Sequence, residues 1–354
     1  MKSCNRRFWR FGQIALCALS FLFGSWAGHI EVSQAAPKEL TLSSWDNENG
    51  SSVPAWKQMI KDLEEITKGQ LKIKVFYSQA LGKAKEHYEM AAKGIADICF
   101  INTGFTPGRF PLNELPAFSA APSGVMNGTG LLAVMKAGYL EKEYAGVKLL
   151  HVYASSPSHF LWKKGVKGAT NLEELKGKKI RVPTTGAANL MKALGASPVA
   201  MPMPEVYTSL ERGVIDGTFT SINVFDVFNL AQVCDQITIA DGPAFGFSLV
   251  MNPKTWAGLS PEVKGFFEKS LPKYVEMVGR TFDQQDEASI KRHNPKIYKL
   301  SPAEKKILQE KSSVGLKEYL RKYEELGFPA MKAAETFQKA IREQYKVEAF
   351  NLSK

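Results

Sequence analysis

An α/β protein of two lobes, bridged by one long helix, is the fold class this sequence predicts. Three observations carry it. Strand-like and helix-like patterns alternate through two successive blocks of the 354-residue chain. No flexible linker, internal repeat or low-complexity tract separates the blocks. A helical pattern then runs from Glu262 to about Arg292, long enough to lie across both lobes. With 44% hydrophobic residues the chain can fill sizeable cores, and four cysteines are too few to staple a disulfide scaffold.

In the first block, Leu40–Trp45 reads as a strand. Val53, Trp56, Met59, Ile60, Leu63 and Ile66 follow at helical spacing, with Gly69 as the stop. Leu71, Ile73, Val75 and Tyr77 alternate with Lys72 and Lys74, the period-two pattern of a strand. Glu86–Lys93 predicts a helix ended by Gly94, and the apolar Ile95–Ile101 a central parallel strand covered on both faces. Val147–Tyr153 is a further strand.

The second block opens with a short helix from Asn171 to Gly177, where Glu174 stands at capping-box spacing. Strand Lys179–Val182, helix Ala187–Leu194, strand Pro198–Met201 and helix Pro204–Arg212 follow, then strands Ile237–Ala240 and Phe247–Met251. This alternation predicts parallel sheets with helices on both faces. Ser260-Pro261 and Ser301-Pro302-Ala303-Glu304 place N-caps before helix-starting prolines. The expected lobes are 36–158 plus 247–290, and 159–246 plus 291–354.

The formal charge of +11 invites a nucleic-acid or membrane reading, but its distribution argues otherwise. Lys2, Arg6, Arg7 and Arg10 precede an uncharged run from Ile14 to Gly28 and the small residues Ser33 and Ala35. That order is a secretory signal peptide over 1–35, with cleavage after Ala35 and a periplasmic destination. The 15-residue run is short for a membrane span. Removing the leader takes four positive charges and Glu31, leaving +8 interleaved with acids, with no block of like charge and no nucleic-acid motif. Cys4, Cys17 and His29 leave with it. Cys99 and Cys234 remain, with Cys99 read as a buried free thiol.

Catalytic signatures are missing from the pattern. There is no phosphate loop, no complete dinucleotide fingerprint, no H-E-x-x-H, no paired CxxC and no G-x-S-x-G elbow. The histidines are too dispersed for local metal-ligand spacing. The expectation is a protein that is not an enzyme and that uses no metal or cofactor.

Three linked motifs then identify a resemblance: LKGKKIRVP at 175–183, ALGASPVAMP at 193–202 and EVYTSLERGVIDG at 205–217. In order and spacing they resemble the central signature of the solute-binding proteins of tripartite ATP-independent periplasmic (TRAP) transporters. Thr67-Lys68-Gly69, Ala80-Leu81-Gly82, Gly94-Ile95-Ala96-Asp97-Ile98, GFTPGRFPLNELP at 104–116 and Asn252-Pro253-Lys254-Thr255-Trp256 extend it over the chain after the leader. The resemblance implies a periplasmic-binding-protein-like clamshell of class II type. It also implies capture of a small carboxylate and its delivery to TRAP membrane permease subunits, by a protein expected to be a monomer. An exported sensor feeding a signalling partner, and an exported enzyme on the same fold, are the alternatives.

The resemblance places Arg181 where the family's arginine grips the ligand carboxylate, a task suited to a planar guanidinium fork. Without it, Arg181 reads as a surface residue ending a strand. The family often carries D-G-Q-E-N-P after the third motif, with a ligand-holding asparagine. This chain has Asp216-Gly217-Thr218-Phe219-Thr220-Ser221, so Thr220 takes that position, either as a ligand contact or as a turn-capping hydroxyl. Thr103, Gly104 and Phe105 follow a central strand, and such ends face the ligand crevice. Arg109 is either a second cationic contact or a structural ion pair. His159 either bonds the ligand or is a hinge histidine bonded to backbone. Trp45, Phe160 and Phe219 are candidate aromatic contacts, which would suit a ligand with an apolar body.

Overall fold

The computed structural model describes residues 37–350. The expected signal peptide, its cleavage point, Cys4, Cys17 and His29 lie outside the described residues. The chain first runs β1 (Lys38–Ser43), α1 (Val53–Ile66), β2 (Leu71–Phe76), α2 (His87–Lys93), β3 (Ile98–Asn102), α3 (Gly124–Lys136) and β4 (Lys148–Ala154). It then runs β5 (Ser158–Lys163), β6 (Lys179–Val182), α4 (Thr185–Ala193), β7 (Ser197–Ala200), α5 (Val206–Glu211), β8 (Gly217–Thr220), α6 (Val224–Val227) and β9 (Cys234–Gly242). Last come β10 (Gly246–Met251), α7 (Pro253–Ala257), α8 (Pro261–His293), β11 (Lys296–Lys299), α9 (Pro302–Val314), α10 (Leu316–Glu325) and α11 (Ala330–Tyr345).

Two sheets result, ordered β2-β1-β3-β10-β4 and β11-β9-β5-β8-β6-β7. The expectation of purely parallel sheets is corrected. β10 runs antiparallel to β3 and β4, and β5 antiparallel to β8 and β9. The chain passes between sheets three times, from β4 to β5, from β9 to β10 and, through α8, from β10 to β11; the strands that arrive by the two short crossings, β5 and β10, are the antiparallel ones. Hydrophobic patterning records burial, and it is blind to strand direction.

Local signals set several boundaries. Ser260 Oγ accepts from Val263 N at 3.3 Å and starts α8. Ser301 and Glu304 exchange a complete capping box that starts α9. Gly94, at φ 73°, ends α2. Other expectations shift. Ile95 is 60% exposed, and β3 begins only at Ile98. The Asn171 helix is a single 3-10 turn, Glu173–Leu175, because Gly177 follows too soon for an α-turn to propagate.

α8 has 33 residues, about 50 Å at ~1.5 Å per residue. It packs on α1, α3 and β4 of the first sheet's lobe and on α6 of the second. The C-terminal part corrects the domain expectation. β11 and α9 stay with the second sheet, but Leu316, Leu320, Phe337 and Ile341 of α10 and α11 join Tyr88, Phe110 and Leu131 in the first lobe's core. α11 lies along α3, whose Gly130 has the Phe337 ring against it; a Cβ there would come within 2.7 Å of that ring.

Cys99 and Cys234 are buried free thiols, each pushed up to about 12, mainly by burial. Among the described residues no helix is long and apolar enough to cross a membrane.

α3 and α8 meet through glycine. A Cβ on Gly279 would fall 2.6 Å from Val125 N and 2.8 Å from the Gly124 carbonyl carbon, both immovable backbone atoms. The Asp283 carboxylate, one turn further along α8, accepts from Gly124 N at 2.8 Å and holds the same crossing. Gly279→Ala would gain up to ~1 kcal/mol of helix propensity but incur about 1–3 kcal/mol of overpacking. The expected net effect is a lower melting temperature in thermal unfolding; an unchanged or higher value would refute the close crossing.

Candidate ligand-binding site between the sheets

The ends of β1, β3, β6 and β8 converge on one cavity of about 40 Å³, room for a few waters. From the first sheet come Trp45 and Asp46 just after β1, Phe100 and Asn102 of β3, and Phe247 of β10. The second contributes Arg181 of β6, then Thr220, Ser221, Asn223 and Phe228. Phe282 of α8 and Ser155 of the β4–β5 crossing complete the wall.

The wall is a packed aromatic array. Trp45 stacks on Phe100 at 5.4 Å between ring centroids, on Phe247 at 6.2 Å and on Phe228 at 6.3 Å. Phe228 comes from the second lobe, so this stack joins the lobes.

Arg181 enters this wall with 1% of its surface exposed. Its Nε donates to Met201 O at 2.9 Å, which fixes the guanidinium plane. Among the described residues no carboxylate lies within ion-pair distance of it. Burial pulls the guanidinium down to about 9, with Glu205 opposing, so it stays cationic at neutral pH. A buried charge without a counter-ion costs several kcal/mol, and an incoming carboxylate would relieve that cost. Asp46, 6% exposed, shows the complementary behaviour: burial raises its carboxyl to about 7 against one hydrogen bond from Asn47 N.

Behind the cavity a polar network ties the lobes to α8. Asp286 Oδ2 accepts from Ser156 Oγ of the β4–β5 crossing, and Oδ1 from Asn223 N beyond β8, both at 2.6 Å. The Asn223 side chain donates to Ser51 Oγ of the first lobe at 2.8 Å, and Ser51 donates to Gln285 of α8 at 2.5 Å. Burial raises Asp286 to about 7 despite these donors.

Of the residues expected from sequence, Arg181, Thr220 and Trp45 meet at this cavity. The others do not line it. Thr103 Oγ1 donates to Gly246 O at 3.0 Å, a bond inside the first lobe. Gly104 abuts Pro183 and Thr184 where a Cβ would collide, and so serves the approach of the two lobes. Phe105 sits edge-on to Trp45 at 5.4 Å and supports the wall from behind.

His159 is buried and accepts from Ala240 N at 3.2 Å through Nδ1, the backbone-bonded option. Burial lowers it to about 4. Phe160 and Phe219 pair at 4.8 Å in the second core. Arg109 lies outside this cavity and, among the described residues, forms no ion pair: its guanidinium lies 3.6 Å over the Tyr88 ring in the first lobe. In each case a neighbour distant in sequence captures the side chain.

Sequence reasoning missed Asp46, Ser155, Phe228, Phe247 and Phe282. The strand-end rule that pointed to Thr103 applies equally to Asp46, three residues past β1. Nothing local marks Phe282, which faces the cavity only because α8 crosses both lobes.

Two mixed α/β lobes closing over a cavity, with a buried cation and an aromatic wall, define a two-lobed binding protein. Residues 43–323 match the family DctP, bacterial extracellular solute-binding protein, family 7, and the chain belongs to that family. The 2,3-diketo-L-gulonate-binding periplasmic protein YiaO of Escherichia coli K12 is 27% identical over 73% of this chain and 78% of its own. A TRAP periplasmic solute-binding protein of Bordetella bronchiseptica with bound (R)- and (S)-mandelate has a TM-score of 0.79 at 25% identity, covering 87% of this chain and 99% of that one. Another, from Rhodoferax ferrireducens T118 with copurified benzoate, shares the fold at a TM-score of 0.79 and 20% identity, with the same coverage.

The Asp286 network makes stability depend on pH. A carboxyl raised from about 3.8 to about 7 favours the folded state fully below its unfolded pKa, and loses that contribution as pH rises through 7. Asp286→Asn removes this one titration. Urea unfolding of both proteins is therefore expected to show the variant gaining stability relative to wild type between pH 5 and pH 8. A difference independent of pH would contradict the assignment.

Proposed function

We propose that this chain captures a small aromatic monocarboxylate outside the cytoplasm and presents it to the membrane permease of a TRAP transporter. The observation behind this reading is Arg181: a buried guanidinium fork with no carboxylate partner among the described residues, set in a largely aromatic wall. A carboxylate takes the fork with two parallel hydrogen bonds, and a flat ring suits the Trp45, Phe100 and Phe247 faces. The mandelate in the Bordetella structure is a ligand of this chemistry.

The remaining parts of the reading rest on sequence and family. The basic and apolar leader supports export with cleavage near Ala35. Family membership supports a permease partner and capture without turnover. The protein acts as a monomer, and its +8 charge concentrates anions without binding nucleic acid. The cavity of about 40 Å³ describes a tightly closed arrangement, so ligand enters when the lobes part and the crossings beside Ser156 and Pro243 flex.

Thermal-shift screening of organic acids tests the class directly, because a ligand held only by the native state raises its melting temperature. Aromatic monocarboxylates are expected to stabilise. Titration calorimetry of Arg181→Ala should then show a loss of about 30-fold or more, the cost of about 2–5 kcal/mol for removing one partner of a buried charge pair. Ligand-free Arg181→Ala is expected to be at least as stable as wild type. No stabilising carboxylate, or unchanged affinity in the variant, would overturn the reading.

A further inference from the structure

Asp46 is a second charged group in the same cavity, and the carboxylate reading leaves it without a task. It is 94% buried and lines the space between Trp45 and the second lobe. Its Oδ1 takes one hydrogen bond, from Asn47 N at 2.9 Å. Among the described residues its Oδ2 has no donor, and no Lys, Arg or His lies within ion-pair distance. The carboxylate lies against Gly50, where a Cβ would collide with Oδ2. An acceptor desolvated by burial and left short of donors is costly unless something entering the cavity supplies one.

The position of Asp46 gives that donor a mechanical consequence. The residues that follow it bridge the lobes: the Asn47 amide donates to Val227 O, and Ser51 receives the Asn223 amide at 2.8 Å. Asn49 O accepts from Gln285 of α8 at 3.2 Å. Asp46 enters the cavity from the first sheet and Arg181 from the second, and no ion pair joins them.

We infer that Asp46 is a specificity-determining residue that accepts a hydrogen bond from a hydroxyl on the ligand, so that the preferred ligands are hydroxylated aromatic carboxylates. The inference rests on the proposed function, in which Arg181 holds the carboxylate. The ligand then spans the lobes, carboxylate on β6 and hydroxyl on the loop after β1, and its two polar ends steady the closed arrangement. A hydroxyl fits better than an ammonium. Burial holds the Asp46 carboxyl near neutrality, at about 7, and a neutral donor does not require the full charge that an ammonium would.

Calorimetry with matched ligands tests this. Phenylacetate, mandelate and phenylglycine differ at one substituent (hydrogen, hydroxyl, ammonium), and benzoate with 3-hydroxybenzoate samples a ring hydroxyl. In wild type, at least one hydroxylated acid is expected to bind about 10-fold more tightly than its parent, the worth of a well-formed hydrogen bond to a desolvated acceptor. In Asp46→Ala that preference collapses to about 3-fold or less, while the parent acids keep their affinity and the ligand-free melting temperature does not fall. Asp46→Asn retains an acceptor for Asn47 N but presents an amide, so the preference falls there too if alanine disturbs the turn.

A wild-type ratio near one, a ratio that survives both substitutions, or a preference for phenylglycine would overturn the inference while leaving the carboxylate site standing. So would an equal loss for all acids with a lowered melting temperature, the mark of a merely structural Asp46. Failure of every aromatic acid to bind would instead remove the proposed function, and this inference with it.

Discussion

A buried guanidinium with no fixed counter-ion is the constraint on which the site depends. Arg181 is nearly fully enclosed, oriented by one bond to Met201 O and set in a cavity wall that also holds aromatic rings. An arrangement of this kind is a poor contributor to stability, because among the described residues no carboxylate offsets the cost of taking the charge out of water. A carboxylate entering the cavity would offset that cost. The same trade appears at Asp46 and Asp286, whose carboxyls burial raises toward neutrality.

The fold supplies the surroundings that make this trade possible. Because the chain crosses between sheets at β4–β5 and again at β9–β10, neither lobe is a single continuous stretch, and the crossings lie beside the cavity. α8 runs past both lobes and meets the Ser156 crossing and Asn223 through Asp286. One buried carboxylate thus ties the β4–β5 crossing and the segment after β8 to α8. The Trp45–Phe228 stack adds an apolar tie between the same lobes.

How much of this was legible depends on the range of the interaction. The span of β6, the α9 capping box and the end of α2 follow from residues within a few positions of one another, and sequence read them correctly. Arg181 was legible because it lies inside linked motifs. His159 and Arg109 were ambiguous for a different reason. Their partners, Ala240 N and the Tyr88 ring, are distant in sequence, and side-chain chemistry alone cannot say which distant group arrives first. α3 was not read at all, since its glycines lower helix propensity, and the helix stands only because α8 and α11 pack against those small residues.

By itself, then, the sequence determined the α/β class, the order of most elements, the family and the residue that carries the positive charge of the cavity wall. Each rests on local spacing or on motifs that survive without coordinates. Tertiary structure alone decided the mixed strand directions, the docking of α10 and α11 on the first lobe, and the company Arg181 keeps. Direction, docking and desolvation are properties of surfaces that meet only after folding. A guanidinium in a strand reads the same whether it faces water or a cavity; the meeting of the two lobes puts Arg181 and Trp45 on the same wall.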